Sequence, residues 1–335
     1  EAEHLRRENV SLRSSMRDRY RFGNILGKSP AMQEVYGLIL DAGATSANLV
    51  IYGESGTGKE LVARAIHEIS KPSPSAFVTV NCAAIPENLL ESEFFGHKKG
   101  AFTGAYADKQ GYLDLANGGT LFLDEVGELS TPLQAKLLRA VEGGGYTPVG
   151  SNRSKTSDFR IVAATNRDLT DLARKGMMRE DFFYRIHIIP IRLPALRQRR
   201  DDIALLVEHF LDKVAGKLKK PIKALSPAAL QKLMIYSWPG NVRELENMIE
   251  CAVVMSPEEV ISEEMILLPG QEMGETAFKT LKASKQDFEK NYLIQLMKIS
   301  RGNVSQASKL AGKYRADLYE LLEKYHINPL DFRQE

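Results

Sequence analysis

The chain has 335 residues, too many for one ordinary hydrophobic core, so we expect two or three domains. A hydrophobic content of 43%, a charged content of 26% and a net charge of +2 are typical of a globular protein and exclude a global field that attracts nucleic acid or a membrane. Cys82 and Cys251 lie far apart without metal-ligand spacing, which excludes a disulfide framework and suits a reducing cytoplasm.

Residues 1–22 are rich in charge and poor in apolar side chains. Leu5 and Leu12 lie one heptad apart, as in a coiled coil, but the charge pattern favours a solvated linker helix. The chain begins with Glu1 rather than Met, which leaves open a longer protein with a further N-terminal segment. No apolar run approaches the length of a membrane span, so we expect a cytoplasmic protein without a membrane partner.

Short apolar runs alternate with helical segments from Gly23 to Pro194. Because most of these runs are continuous rather than alternating, they predict strands that are buried on both faces, and therefore a parallel sheet covered by helices. We assign residues 23–195 to this α/β domain. The predicted strands are Asn48–Tyr52, Phe77–Asn81, Thr120–Leu123, Phe159–Ala164 and Ile188–Arg192.

A glycine-rich loop follows the first predicted strand and precedes a helical segment, Leu61–Ile69. Backbone N–H groups of such a loop can surround a phosphate, the helix N-terminus adds partial positive charge, and Lys59 can reach terminal phosphates. This context favours a nucleotide site over a glycine turn without a ligand. Glu60 replaces the usual Ser or Thr whose hydroxyl would contact Mg²⁺. The loop comprises Gly53, Glu54, Ser55, Gly56, Thr57, Gly58, Lys59 and Glu60.

A second loop consists of five small residues around one phenylalanine. It buries almost no side chain, and its glycines weaken any helix or strand. Such a run is often a solvated glycine loop. Its place between the two halves of a nucleotide site instead indicates a mobile tip that acts on a protein partner. The six residues are Gly100, Ala101, Phe102, Thr103, Gly104 and Ala105.

Polar residues follow three of the predicted strands, where ligands bind in such sheets. We expect Asp124 to hold Mg²⁺, directly or through water, and Glu125 to polarise the attacking water. Asn81 could hold Glu125 away from that water. Thr165 and Asn166 are suited to orienting water or sensing the γ-phosphate, although such a pair alone often forms a turn.

Arginines outside the phosphate loop complete the candidate site. Arg179 and Arg185 can stabilise the charge that spreads over a transferring phosphoryl group. Since neither lies in the loop of its own subunit, we expect donation across a subunit interface; the alternative is salt bridging to Glu180 or Asp181. Arg243 is expected to point from a helical lid towards the nucleotide, or to be a simple interface arginine.

Helical patterns dominate after Pro194. Residues 196–268 predict a small helical domain with three helices, and residues 269–283 a linker. We expect the helices to be Asp202–Val214 with Asp201 as N-cap, one starting at Ser226, and one capped by Asn241 that ends near Met255.

Residues 284–335 predict a compact helical unit. A long helix, Ser284–Ile299, precedes a glycine-stopped helix, Arg301–Gly312, and a further helix, Lys313–Tyr325. Helix, glycine turn and helix together predict a helix-turn-helix. Its apolar face consists of Leu318, Leu321, Leu322 and Tyr325.

Over about residues 23–268, these motifs resemble the bacterial enhancer-binding proteins, the AAA+ activators of RNA polymerase carrying sigma-54. The resemblance implies an α/β AAA+ domain with a helical lid, and its Walker A motif also ends in glutamate, which accounts for Glu60. It implies a second pore loop at Glu142–Arg153. Asp124 and Glu125 would form its Walker B motif, and Asn81 would be its switch asparagine. Thr165 and Asn166 would be sensor I. Arg179 and Arg185 would be the arginine fingers, and Arg243 would be sensor II.

The resemblance also implies the activity. It describes a homo-oligomer, from dimer to hexameric or heptameric ring, that hydrolyses ATP with Mg²⁺ at subunit interfaces. The signature loop, residues 100–105, would contact sigma-54 through Phe102 and Thr103 and remodel the closed complex of the RNA polymerase holoenzyme. The intact loop disfavours two alternatives: a regulator whose ATPase module only assembles or represses, and a nucleic-acid motor or chaperone with the same fold.

The C-terminal unit resembles the Fis-type helix-turn-helix that closes this family, which implies binding to double-stranded enhancer DNA. Its cations, Lys313, Arg315 and Lys324, lie among three acidic residues that phosphates would repel. We therefore expect weak binding, or binding that depends on oligomer avidity. The alternative is a helical hairpin used for assembly. Control within a two-component system would need a segment ahead of Glu1.

Overall fold

The continuous apolar runs form one parallel sheet in the computed structural model of the chain. The chain divides into two compact units, Glu1–Leu267 and Leu268–Glu335. Of the predicted linker at residues 1–22, only 20–22 are described, and the predicted linker at residues 269–283 lies outside the described residues. Those described are 20–70, 75–219, 221, 224–268, 292–294, 296–297, 299–300, 302–325 and 327–332.

The sheet has five parallel strands in the order β4-β5-β6-β3-β7, beside a short hairpin of β1 and β2. Phe77–Asn81 is observed with the predicted bounds. Three of the other strands differ from prediction by one residue at one end, and Phe159–Ala164 by one residue at each end. The predicted α/β fold class is therefore confirmed. The strands are β1 (Arg21–Phe22), β2 (Ile25–Leu26), β3 (Leu49–Tyr52), β4 (Phe77–Asn81), β5 (Thr120–Asp124), β6 (Arg160–Thr165) and β7 (Ile189–Arg192).

Helices cover both faces of the sheet. Along β3, Leu49 and Ile51 pack with α1 and α2, whereas Val50 and Tyr52 pack into the core on the other face with α3, α5 and α7. Both sets are buried, which explains the absence of polar–apolar alternation. The helices are α1 (Pro30–Gly43), α2 (Lys59–Ser70), α3 (Glu87–Phe95), α4 (Tyr112–Leu115), α5 (Thr131–Val141), α6 (Leu169–Arg174) and α7 (Glu180–Ile186).

The helical lid contains the three predicted helices, here α8 (Ile203–Leu218), α9 (Pro227–Ile235) and α10 (Asn241–Met255). The fully buried Trp238 anchors the turn between α9 and α10, and its indole Nε1 donates to the carbonyl of Leu233 at 2.8 Å. A parallel pair, β8 (Ala224–Leu225) and β9 (Val260–Ile261), was not predicted. Two-residue strands, like β1 and β2, carry no readable periodicity.

The expected capping of α8 by Asp201 is wrong. Asp202 occupies the cap position, but its carboxylate turns away from α8 and is fully buried. It accepts hydrogen bonds from the backbone N–H groups of Lys28 and Ser29, at 2.7 and 2.8 Å, and from the Ser29 hydroxyl. These groups lie at the start of α1, so the lid supplies an acceptor for backbone donors beside that helix start.

In the described part of the C-terminal unit, α11 (Val304–Ala311) is followed by α12 (Arg315–Lys324). The first begins later than predicted because Asn303 caps it, accepting from two backbone N–H groups. It ends, as predicted, at Gly312, whose φ of 60° lies in the left-handed region. The predicted apolar face of α12 packs inward. Of the long helix expected from Ser284, only residues 292–294, 296–297 and 299 are described, and they are helical.

Within the described parts of the chain, none of the helices combines the length and apolar composition that crossing a bilayer requires.

The buried carboxylate of Asp202 gives a stability prediction. Asp202→Ala should lower the free energy of unfolding by about 3 kcal/mol, because backbone donors at the start of α1 lose their acceptor. Chemical denaturation followed by circular dichroism measures this. Asp201→Ala, at the exposed neighbouring position, is the matched control and should change stability by about 0.5 kcal/mol or less. Equal effects in the two variants would contradict the assignment.

Candidate nucleotide site

The phosphate loop leaves β3 and enters α2 directly at Lys59. Gly56 and Gly58 have φ values of 77° and 101°, which β-carbon-bearing residues rarely adopt. A Cβ atom on Gly56 would also stand 2.3 Å from the carbonyl oxygen of Gly240 in the lid. The loop is therefore closely packed between the sheet and the lid, in a shape that only glycine permits at this position.

Lys59 lies inside the curl of the loop with only 8% of its surface exposed. Its ammonium donates to the carbonyls of Gly53 at 3.0 Å and Glu54 at 3.4 Å. It also lies 3.7 Å from a carboxylate oxygen of Glu125. A positive charge held at the centre of a glycine loop, at the start of a helix, is an arrangement suited to an anionic group such as phosphate.

Glu125 has a left-handed backbone, with φ of 53° and ψ of 50°. For a residue with a side chain this conformation costs roughly 1–2 kcal/mol. It lets Glu125 reach both Lys59 and the backbone N–H of Asn166, the latter at 3.4 Å. Asp124, which ends β5, accepts from the Glu125 N–H at 3.1 Å. The strain therefore places two adjacent carboxylates at the mouth of the loop.

Asn81 and Thr165 lie at the same sheet edge, since Asn81 pairs in register with Asp124 and Thr165 with Tyr52. The expected contact between Asn81 and Glu125 is not among those of the described residues. Instead, the Asn81 side-chain oxygen accepts from two backbone N–H groups two and three residues later in its own turn. The Thr165 hydroxyl is fully buried and accepts from the Arg167 N–H at 3.0 Å.

The two candidate finger arginines lie outside this loop. Arg179 is exposed and makes a two-pronged ion pair with Asp181, at 3.0 and 2.7 Å, the alternative that the sequence left open. The Arg179 guanidinium holds the pKa of the Asp181 carboxyl below its usual range. Arg185 donates to the carbonyl of Val141 at 3.3 Å. Among the described contacts, neither guanidinium reaches the phosphate loop of its own subunit.

The lid contacts the loop at the start of α10. Asn241 does not cap this helix as expected, because Gly240 occupies the cap position. The fully buried Asn241 side chain accepts from the Leu196 N–H at 2.8 Å and donates to the Ser55 carbonyl at 3.0 Å. Arg243 donates its backbone N–H to Gly56 at 3.3 Å, and its exposed side chain stands beside the loop.

A cavity of about 480 Å³ adjoins the loop, and sequence reasoning did not predict it. It lies between the β1–β2 hairpin, the start of α2 and the lid. Apolar walls from separate elements suit a flat aromatic ring such as a nucleobase. Because its walls come from separate parts of the chain, no local sequence pattern indicates it. The apolar lining comprises Ile25, Leu26, Met32, Leu61, Val62, Leu193, Leu206, Phe210 and Val242.

Residues 100–105 form a compact turn. The Gly100 N–H donates to the Ala105 carbonyl at 2.8 Å, and the φ values of Gly100 and Gly104 are 83° and 105°. Phe102 is 38% exposed, and its ring stands edge-on to that of His97 with centroids 5.0 Å apart. The turn is therefore a surface feature with one partly exposed aromatic ring.

The expected second pore loop, residues 142–153, lies against this turn. The Lys98 N–H donates to the carbonyl of Val149 at 2.9 Å, and His97 forms a bridge with the same residue. A Cβ atom on Gly150 would stand 2.6 Å from that of Ala101. These contacts couple the two loops, so that one can move without the other only if the contacts break.

Comparison with known proteins agrees with this geometry. Residues 25–192 match the family described as the sigma-54 interaction domain, and residues 197–282 match the AAA+ ATPase lid domain. The nitrogen fixation protein AnfA of Azotobacter vinelandii is 43% identical over 331 residues, which are 98% of this chain and 62% of AnfA. The transcriptional regulatory protein GlrR of Escherichia coli K12 is 41% identical over 92% of this chain and 70% of GlrR.

The solved structure of NtrX from Brucella abortus in complex with ATP is 34% identical, with a TM-score of 0.67. It covers 97% of this chain, which spans 73% of that one. The chain thus spans between 62% and 73% of the length of these three relatives. The matched domains and relatives establish that the chain belongs to the sigma-54-dependent transcriptional activators, whose AAA+ module is an ATPase.

Proposed function

We propose that the chain is a ring-forming ATPase that uses ATP hydrolysis to remodel sigma-54 RNA polymerase through residues 100–105 while its C-terminal helices bind enhancer DNA. In this proposal residues 23–195 form the ATPase, residues 196–268 the lid and residues 284–335 the DNA-binding domain. The observation that carries it is a one-sided nucleotide site: the loop, the lysine and the acids meet in one subunit, whereas the arginines face elsewhere.

Lys59 and the loop amides would bind the phosphates of ATP, and the 480 Å³ cavity would receive the base. Glu125, already at the mouth of the loop, would polarise the attacking water. NtrX, which binds ATP in its solved structure, supports this assignment. Thr165 and Asn166 would sense the γ-phosphate, and Asn81 would hold Glu125 in another state of the cycle.

Magnesium fits this site only as an ion shared with the nucleotide. Among the described residues, no three His, Cys, Asp or Glu side chains are grouped closely enough to hold a metal alone. Asp124 offers one carboxylate at the sheet edge, partly engaged by the Glu125 N–H, and Mg²⁺ is often held by one or two carboxylates together with phosphate oxygens and water. Such an ion would neutralise developing charge on the phosphates.

Arg179 and Arg185 would complete the neighbouring subunit's site. Water and salt screen an exposed ion pair such as Arg179–Asp181, so a phosphate of the neighbouring site can compete for the guanidinium. Arg243, in the lid, would contact the nucleotide of its own subunit. Hydrolysis would then change an interface between subunits as well as the site itself.

Residues 100–105 would transmit that change. They belong to a long insertion between β4, which ends at Asn81, and β5, which starts at Thr120. The insertion leaves the sheet at Asn81, at the edge that carries the site, and rejoins it at the opposite end of β5. A shift at the sheet edge has a direct covalent route to Phe102 and Thr103, which we propose contact sigma-54.

The C-terminal helices would bind DNA through exposed cations. Arg315 and Lys324 stand over the rings of Tyr319 and Tyr325, at 5.7 and 4.7 Å, and Lys313 lies exposed in the turn before α12. The exposed acids Asp317, Glu320 and Glu323 share this surface and would weaken a single contact with phosphates. Binding would then depend on several units of the oligomer acting together.

Replacement of the signature threonine separates chemistry from remodelling. Thr103→Ala should keep the ATPase rate within about twofold, since the residue lies outside the site, while ATP-dependent binding to sigma-54 falls at least about tenfold. ATPase assays and pull-down with sigma-54 measure both. Ser46→Ala, an exposed hydroxyl near the opposite edge of the sheet, is the control. Unchanged sigma-54 binding by the Thr103 variant would defeat the proposed role of the loop.

Mixed oligomers test the arginines. Lys59→Ala alone should abolish nucleotide binding, and Arg179→Ala alone should lower the ATPase rate at least about 10²-fold. In a mixed oligomer, a Lys59→Ala subunit can donate its Arg179 to the intact phosphate loop of a neighbouring Arg179→Ala subunit. Such interfaces are complete, so some activity should return. The rate is measured across mixing ratios, with each variant alone as the control. Activity that stays at the sum of the two variants at every ratio speaks against donation between subunits.

Salt dependence tests the DNA surface. The double variant Lys313→Ala/Arg315→Ala should bind duplex DNA more weakly and reduce the slope of log affinity against log salt by about 2, because two cations no longer displace counterions. Fluorescence anisotropy at several salt concentrations measures the slope. Lys217→Ala, an exposed lysine of the lid, should leave it unchanged. An unchanged slope in the double variant would favour a helical hairpin used for assembly.

A further inference from the structure

Glu54, the second residue of the phosphate loop, does not face the phosphate position with its side chain in this structure. Both carboxylate oxygens accept from the two guanidinium nitrogens of Arg197, at 2.8 and 2.5 Å. One of them also accepts from the Asn241 amide at 3.2 Å. The hydrogen bonds from Arg197, which have the largest effect, and from Asn241 lower the pKa of Glu54 to about 2. The carboxylate is thus charged and bound to two residues of the lid.

This contact is poorly explained by folding stability alone. The side chains of Glu54 and Arg197 are 44% and 42% exposed, and ion pairs at that exposure add little to stability because water and salt screen them. The pair matters because Glu54 lies in the phosphate loop. A carboxylate in the phosphate loop repels the negatively charged ligand that the loop is built to hold, unless a cation neutralises it.

The lid also binds the backbone of the same loop. The Asn241 amide donates to the Ser55 carbonyl, and the Val242 and Arg243 N–H groups both donate to the Gly56 carbonyl, at 3.0 and 3.3 Å. In a peptide unit the C=O and N–H point in roughly opposite directions. Donors that hold these carbonyls on the lid side therefore favour amides that point into the curl, towards Lys59.

Asn241 connects these contacts to the base of the lid. Its side-chain oxygen accepts from the Leu196 N–H, next to Arg197, while its amide reaches the loop. It is fully buried and has a φ of 52°, a conformation that asparagine tolerates better than most residues. One side chain thus joins the first turn of the lid, the start of α10 and the phosphate loop.

We infer that Arg197, which neutralises Glu54, and Asn241, which helps to orient the loop amides, are positioning residues, so that the contact of the lid with the loop sets the affinity for nucleotide. This inference rests on the proposed nucleotide site. The lid acts through Glu54, Ser55 and Gly56 rather than by touching the ligand, a role separate from that proposed for Arg243.

Charge removal in two steps tests the neutralisation. Arg197→Ala should weaken binding of a fluorescent ADP analogue about five- to tenfold, because Glu54 is left unneutralised beside the phosphates. Glu54→Gln, which removes the repelling charge, should bind at least as tightly as the wild-type chain. The double variant should return to within about twofold of Glu54→Gln. Arg200→Ala removes the same charge from an exposed position of the same segment and should bind like the wild type.

Steady-state kinetics supply a readout that a merely structural role would not give. The KM for ATP should rise about as much as the dissociation constant in Arg197→Ala, with kcat within about threefold, and Glu54→Gln should reverse the rise. Tight binding by Arg197→Ala, or a double variant that stays weak, would overturn the inference. A wild-type chain that binds no ADP analogue would instead defeat the nucleotide site itself.

Discussion

The parallel register of β5, β6 and β3 is the constraint on which the candidate site depends. Because these strands run in the same direction, the residues after them meet at one edge although they are far apart in the chain. Asp124, Thr165 and Gly53 are brought together in this way, and Glu125 completes the group by adopting a left-handed backbone. Strain at that residue is tolerated because residues 120–123 of β5 are buried between the two cores and hold the strand in place.

The lid is attached to the α/β core by polar side chains that form hydrogen bonds with backbone groups of the core. Asp202 accepts from backbone donors at the start of α1, and Asn241 binds carbonyl and amide groups of two separate loops. Both side chains are fully buried, so breaking either set of contacts would expose unsatisfied groups. Hydrogen bonds depend on distance and angle, so these contacts couple the position of the lid to that of the phosphate loop. A purely apolar interface lacks this directional constraint.

The sequence predicted the sheet well, since its strands are continuous apolar runs, and it predicted the residues at their carboxyl ends by the same reasoning. It did not predict the 480 Å³ cavity beside the phosphate loop, whose walls come from separate elements, among them β2, α2 and α8. It also misassigned Asp201 and Asn241 as helix caps. Both are polar residues near a helix start, as caps are. Asp202 occupies the cap position of α8 instead of Asp201, and tertiary hydrogen bonds hold the side chains of Asp202 and Asn241 away from their helices.

The resting contacts of the other candidate groups share one physical property. Arg179 is held by an exposed carboxylate, the Asn81 oxygen by backbone N–H groups of its own turn, and the Phe102 ring by the edge of His97. Each contact is weak compared with burial in the core, because water and salt screen the exposed ion pair and an edge-on aromatic contact adds only about 0.5–1.5 kcal/mol. A group in such a contact can exchange its partner for a phosphate, a carboxylate or a protein surface without unfolding its element. The groups proposed to move are therefore held by contacts that can exchange, whereas Lys59, Asn241 and Asp202 are buried.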